Sequence, residues 1–317
     1  MITTLHNGQV WHDTNCQPIH AHGGHMLWHE GYYYWYGEDR REDFYISCYR
    51  SRDLMNWEFR SHIITTTTPA ASIRVRTNLQ LRNDDGGKIN LERPKVLYNE
   101  STGRFVLWVH YENGKHYGAA ACAIASSTQP DSEFVYHGSF NPFGYMSRDC
   151  TLFQDDNGTA YFISAARENA DLHIYRLADD YMNVDTLVHK LWQGEYREAP
   201  AVFKREGVYS MLSSFCTGWD PNQGKYGTAT SIEGDWSRLS DFGDATTFDT
   251  QPAFVVQHPS GQWLYYGDRW NGKQYDKSGY VVLPIDFEGD TPKLAYYDTV
   301  ELSEAAGTIS AMPLIFK

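Results

Sequence analysis

No apolar run in this sequence approaches the ~20 residues that a bilayer-crossing helix needs, and helical periodicity is nearly absent. The five cysteines, Cys16, Cys48, Cys122, Cys150 and Cys216, are odd in number, widely scattered and without C-x-x-C spacing. That pattern argues against a disulfide framework, a zinc knuckle or a thiol redox centre and leaves them as reduced packing residues. Positive charge is scarce: 27 Lys and Arg against 40 Asp and Glu give a net charge of −13. Long-range repulsion of that sign excludes nucleic acid and an anionic membrane as partners, and a neutral substrate fits better. The N-terminal MITTLHNGQVWHD has neither the basic start nor the apolar core of a secretory leader, so a cytoplasmic address is expected.

What is present is a repeat. One pattern returns five times: a polar or charged residue, an apolar strand, a turn ending in Gly, then an aromatic strand. The copies are HAHGGHMLWHEGYYYWYGE, LERPKVLYNESTGRFVLWVH, SRDCTLFQDDNGTAYFISAA, REAPAVFKREGVYSMLSS and TQPAFVVQHPSGQWLYYGD. Their turn glycines, Gly31, Gly103, Gly158, Gly207 and Gly261, lie 49 to 72 residues apart, the length of a four-stranded antiparallel blade with its loops. Outer strand pairs are read in ISCYRSRDLMNWEF, ACAIASSTQPDSEFVYHG, LHIYRLADDYM and GTATSIEGDWSRL. The 317 residues are therefore predicted to form one all-β domain, residues 1–317, folded as a five-bladed β-propeller. Residues 62–90, which include TTTTPAAS and RNDDGGK, are predicted to form an extended loop walling a binding site. Aromatic residues make up 15% of the chain, with 23 Tyr and 10 Trp. Their flat faces suit sugar rings, and equally suit sheet interiors.

In a propeller the innermost strands start around one mouth, however far apart they lie in the chain. Counting back from each turn glycine places His20 to His22, Glu92 to Pro94, Ser147 to Asp149, Arg197 to Glu198 and Thr250 to Gln251 there. Three carboxylates and an amide converge. Like charges without a cation between them raise one another's pKa, which keeps a carboxylic acid protonated near neutral pH. Arg93, Arg148 and Arg197 are sequence neighbours of these acids, but strand neighbours face opposite ways. Inverting glycoside hydrolysis uses such an arrangement: one protonated carboxyl on the leaving oxygen and a base ~6.5–9.5 Å away that activates water. His20, His22 and His25 have the H-x-H-x-x-H spacing of binuclear zinc hydrolases, yet Gly24 stands where those sites carry a metal-binding Asp.

With these strands laid out, the sequence resembles glycoside hydrolase family 43 over nearly its whole length. The likeness is carried by HGGHMLWHEGYYYWYGE, SRDLMNWEF, MSRDCTLFQDDNGTAYF and EAPAVFKREGVYSMLSS. The resemblance implies Glu198 as general acid and Asp149 as the group that tunes its pKa and orients it. Blade one departs from the family, with AHGG where most members place an Asp base. A branch that includes exo-β-1,3-galactanases and some α-L-arabinofuranosidases is similar in this respect and shares CTGWDPN at 216–222. That branch implies Gln251 as a base through its imidic acid tautomer, with a Glu92-activated water as the competing assignment; Glu92 is also a candidate for binding substrate hydroxyls. Trp219 and Tyr145 are candidate sugar platforms, and His22 a candidate hydroxyl ligand.

The sequence thus favours an inverting exo-glycosidase, foremost an α-L-arabinofuranosidase acting on xylan- or arabinan-derived oligosaccharides. An exo-β-1,3-galactosidase and a β-xylosidase are the rivals within the class, and a catalytically silent sugar-binding propeller lies outside it. No cofactor or catalytic metal is expected. Calcium occurs in the central channel in parts of the family, but no ligand set here predicts it.

Overall fold

The computed structural model describes residues 3–74, 78–303 and 308–312. Its strands form five four-stranded antiparallel sheets, each consecutive in the chain. Blade one comprises His22–His29, Tyr32–Glu38, Phe44–Ser51 and Glu58–Thr65; blade two Asn90–Asn99, Arg104–Glu112, Ala121–Ser127 and Val135–Phe140. Blade three comprises Cys150–Gln154, Ala160–Ala166, Asp171–Leu177 and Val184–Leu191; blade four Arg197–Arg205, Val208–Phe215, Gly224–Ala229 and Ser240–Phe242. Blade five comprises Gln251–Gln257, Trp263–Arg269, Gly279–Glu288 and Thr291–Leu294. The expected five-bladed β-propeller is the fold. All five turn glycines have positive φ, between 64° and 90°, a region that costs other residues steric strain. In blades one and four the turns are the two-residue pairs Glu30-Gly31 and Glu206-Gly207, both residues at positive φ, as the twist of a hairpin prefers.

The core is divided among five apolar clusters, each the interface between two neighbouring blades. The cluster between blades five and one also takes Leu5, Trp11, Val300 and Leu302 from the chain ends. Among the described residues, no strand is exchanged between terminal blades. Instead Leu5–His6 pairs with Thr299–Ser303, which pairs with Thr308–Met312, and the Asn7 carboxamide bonds both the N–H and the C=O of Val282 at 2.8 and 2.9 Å. Sequence patterning missed this closing sheet and the outer pair of blade five.

The predicted loop starts later than expected, because residues 62–65 belong to a strand, and residues 75–77 lie outside the described set. None of its described residues lines the cavity that gathers the predicted acids. Its backbone bridges to Tyr136 and Ser139 on the outer strand of blade two, so it supplies partners to an edge strand that would otherwise expose free N–H and C=O groups.

Four of the five innermost strands carry a β-bulge near their start, after His22, Glu92, Glu198 and Pro252. Gly23, Arg93 and Ala199 take positive φ there, at 57°, 57° and 49°. A bulge re-aims side chains, and non-glycine residues in this region store strain that functional sites commonly hold.

Candidate active site

Each innermost strand starts, and its antiparallel partner ends, at the same rim. Register therefore sets His22 opposite Glu38, Glu92 opposite His110, Glu198 opposite Ser214 and Gln251 opposite Asp268. Between them lies a cavity of about 180 Å³ lined by Glu92, Asp149, Glu198, Gln251 and Trp219 among others. Five of the seven sequence-predicted residues are thus brought together.

His22 and Tyr145 are not among them. His22 is 1% exposed; its Nδ1 lies 2.9 Å from Asp268 Oδ1 and its ring stacks on Tyr280. It braces the wall from behind, out of reach of a substrate hydroxyl. Tyr145 receives a hydrogen bond from Lys190 at 2.9 Å and packs edge-on against His173, outside the cavity lining. The aromatic lining consists of Trp219, singled out from the sequence, and Trp270, which sequence reasoning missed; the two pack edge-on, and Tyr275 stacks on Trp270 with centroids 5.9 Å apart. Counting forward along the second strand of each blade, as well as back along the first, would have found Glu38, His110, Ser214 and Trp270.

The acids do have cationic partners. Arg93, 4% exposed, sits on the blade-two bulge, and its side chain enters the cavity beside Glu92 instead of facing away. Its Nε pairs with Asp149 Oδ2 at 3.2 Å, it donates to Pro252 O at 2.7 Å and to Gln251 Oε1, and its backbone N–H donates to Glu38 Oε1 at 3.0 Å. Arg40 bridges Glu38 and Glu92, at 2.7 and 3.2 Å. By contrast, Arg148 bonds Glu168 and Arg197 bonds Ser213, away from the acids that neighbour them in sequence.

In the AHGG segment of blade one both glycines are closely covered. A Cβ on Gly24 would meet Tyr36 O at 2.3 Å, and one on Gly23 would meet Glu38 Oε1 at 2.5 Å. The carboxylate of blade one comes from its second strand, as Glu38.

Glu198 is a carboxyl poised to titrate near neutral pH. Burial, then the charge of Asp149, raises its pKa to about 7; Asp149 Oδ2 accepts the Ala199 N–H at 3.2 Å, which ties the two together. Gln251 Nε2 donates to Glu198 Oε1 at 3.0 Å and to Ser214 Oγ at 2.9 Å, while its Oε1 accepts from Trp270 Nε1 at 2.8 Å and from Arg93. Trp and Arg are donors only, so the oxygen must face them. Gln251 is thereby held as an ordinary amide in direct contact with the acid, with all four hydrogen-bonding positions filled. Burial raises the pKa of Glu92. Tyr117 OH donates to its Oε1 at 2.7 Å, and its Oε2 has His110 Nδ1 at 3.5 Å. Burial opposes charge on His110, but its bond to Glu112 at 3.0 Å and the charges of Glu92 and Asp149 outweigh that and raise its pKa.

Among the described residues, Glu92, His110 and Asp149 form the one group with ligand atoms close enough for a metal, all within 4.8 Å. Two of the three already face a guanidinium, Glu92 that of Arg40 and Asp149 that of Arg93. His22 is committed to Asp268 and His25 accepts from Val96 N at 3.4 Å, which disperses the H-x-H-x-x-H set.

A buried carboxyl with its pKa raised toward neutrality beside a second carboxylate, in a small aromatic-walled cavity, is equipment for cleaving glycosidic bonds. The model of the glycosyl hydrolases family 43 matches residues 23–251. The chain belongs to this family. As a family 43 glycoside hydrolase it is similar to an exo-β-1,3-galactanase from Clostridium thermocellum, at 43% identity and a TM-score of 0.89, over 100% of this chain and 70% of that one. It is similar to an exo-β-1,3-galactanase from Phanerochaete chrysosporium, determined as a variant with β-1,3-galactotriose, at 32% identity and a TM-score of 0.86, over 98% and 71%. A third likeness is to a family 43 β-1,3-galactosidase with galactodeoxynojirimycin, at 33% identity and a TM-score of 0.82, over 93% and 99%. No curated protein matches the chain.

The raised pKa of Glu198 predicts the pH profile. Its acid form is lost as pH rises through about 7, so kcat/KM of the glycoside hydrolase should fall above that value. Asp149→Asn removes a charge that raises the Glu198 pKa, so the alkaline limb should move to lower pH while burial keeps part of the shift. Rate–pH profiles of both proteins test this; an unmoved limb would mean that the Asp149 charge does not tune the acid.

Proposed function

We propose that this family 43 enzyme is an exo-acting β-1,3-galactosidase that releases terminal galactose with inversion of configuration. The observation that carries this reading is the whole-chain likeness to β-1,3-galactanases at up to 43% identity, joined to a cavity sized for one sugar ring. It displaces the arabinofuranosidase that the sequence alone favours, since the neighbours described act on galactans.

The residues take these roles. Glu198 protonates the glycosidic oxygen as the bond to the anomeric carbon breaks. Asp149 keeps that proton in place, and Gln251 fixes the acid's orientation. Water activation falls to Glu92, an ionisable group in the cavity, in preference to Gln251, whose hydrogen-bonding positions are spent. Trp219 and Trp270 face the ring, and Arg40 with Glu38 closes the cavity behind it.

A panel of nitrophenyl β-galactoside, α-L-arabinofuranoside and β-xyloside, together with β-1,3-galactobiose, tests the specificity. The galactosides should be the substrates turned over fastest, and NMR should show α-galactose as the first product. Faster arabinofuranoside cleavage would overturn the choice of sugar, and β-galactose appearing first would overturn inversion.

A further inference from the structure

Behind Glu92 lies a buried histidine outside the cavity lining. His110 stands opposite Glu92 in the antiparallel register of blade two and is 1% exposed. Its Nε2 lies 3.0 Å from Glu112 Oε1. Glu112, equally buried, is locked in turn, because its Oε2 accepts the successive backbone N–H groups of Ala119 and Ala120 at 3.0 Å each. Ala120 takes φ of 39° to present that pair, and consecutive N–H groups of this kind cradle an anion. A carboxylate with both oxygens occupied as acceptors fixes the tautomer of the imidazole, placing a proton on Nε2 and aiming Nδ1 the other way.

Nδ1 is buried without a hydrogen-bond partner among the described residues. It points between two carboxylates, with Glu92 Oε2 at 3.5 Å and Asp149 Oδ1 at 3.9 Å. The two oxygens of Glu92 differ accordingly: Oε1 accepts from Tyr117 OH at 2.7 Å and from Arg40 at 3.2 Å, whereas Oε2 faces His110. Other groups around the imidazole leave this pairing intact. Arg148 Nε comes to 4.0 Å from Glu112 Oε1, the Tyr117 ring lies 6.1 Å from the imidazole, and Arg93 and Arg40 are bound to Asp149 and Glu92. Burial pushes the Cys150 thiol up to about 12, so it stays neutral. A base that takes a proton from water must be ionised, and burial works against ionisation of Glu92. The charge of His110 is the largest influence opposing that burial.

We propose that His110, held by Glu112, is the positioning residue that keeps Glu92 ionised and its Oε2 ready to take a proton from the attacking water. Neither His110 nor Glu112 lines the cavity, so both act through Glu92. This rests on the assignment of Glu92 as the base and deepens it by naming what sustains the base form.

Rate–pH profiles of kcat/KM for His110→Gln and Glu112→Gln, on whichever glycoside of the panel above is turned over fastest, test the proposal. Without the imidazolium, burial dominates Glu92 and its base form is lost at higher pH. The acid limb should therefore move up by about one pH unit in His110→Gln, and in the same direction in Glu112→Gln, while the alkaline limb set by Glu198 moves less. The double variant should shift no further than His110→Gln alone, since Glu112 acts through the imidazole; a merely structural pair would lower stability without moving one limb. Nitrogen NMR of the wild-type enzyme should show both ring nitrogens of His110 protonated at neutral pH, and a neutral imidazole would overturn the proposal even where the variants fail to fold. An acid limb that Glu92→Gln abolishes, but that His110→Gln and Glu112→Gln leave in place, would sink the proposal alone. An acid limb that survives in Glu92→Gln would instead remove Glu92 as the base and take the proposal with it.

Discussion

Glu198→Gln is expected to lower kcat on β-1,3-galactobiose by about 10²- to 10⁴-fold, the range for losing a general acid, with galactose binding nearly unchanged. The amide keeps the shape of the carboxyl but cannot deliver a proton. β-Galactosyl fluoride, whose leaving group needs no protonation, should suffer far less, which separates loss of the proton donor from a damaged site. Stability has a definite sign as well. The Glu198 pKa is raised in the fold to about 7 from 4.5, so the native state holds a proton that the unfolded chain releases. Wild-type stability from this group is full below about pH 4.5 and is lost as pH rises through about 7. The neutral variant should therefore compare most favourably with wild type above that pH. Glu92→Gln should also be crippled, and added azide, a nucleophile that needs no base, should restore part of its turnover. Rescue of Gln251→Ala instead would transfer the base role to the glutamine.

Arg93→Met should destabilise the fold by about 3–5 kcal/mol, the usual penalty when one member of a buried ion pair is removed, and abolish measurable turnover. Arg93 contacts Asp149 of blade three, Gln251 and Pro252 of blade five, and through its backbone Glu38 of blade one. Methionine fills similar space, but leaves Asp149 without its charge partner and Gln251 Oε1 with Trp270 as its remaining donor. Thermal unfolding and single-turnover assays check both effects. A melting temperature equal to that of wild type would show that the guanidinium carries no stabilising charge pairing.

Several acids were legible before any coordinates. Period-two alternation and five recurring turn glycines locate the start of each innermost strand, and ring closure then carries Glu92, Asp149, Glu198 and Gln251 to one mouth. The aromatic wall was only half legible: Trp219 lies in a recognisable segment, whereas Trp270 follows a second strand, and nothing in its local pattern separates it from a packing residue. Tyr145 was equally open from the sequence, since a rim aromatic can turn toward Lys190 and His173, as it does here, as readily as toward a ligand.

The sequence alone determined the architecture and the four groups above, because turn chemistry and strand periodicity are local properties that survive without knowledge of neighbours. Tertiary structure decided the direction of Arg93, the entry of Glu38 into the cavity lining, and the commitment of Gln251 to four partners. These depend on a left-handed bulge, on register that sets Glu38 opposite His22, and on partners for Gln251 from blades two and four as well as its own. Such contacts arise only when the ring closes, so no stretch of chain records them.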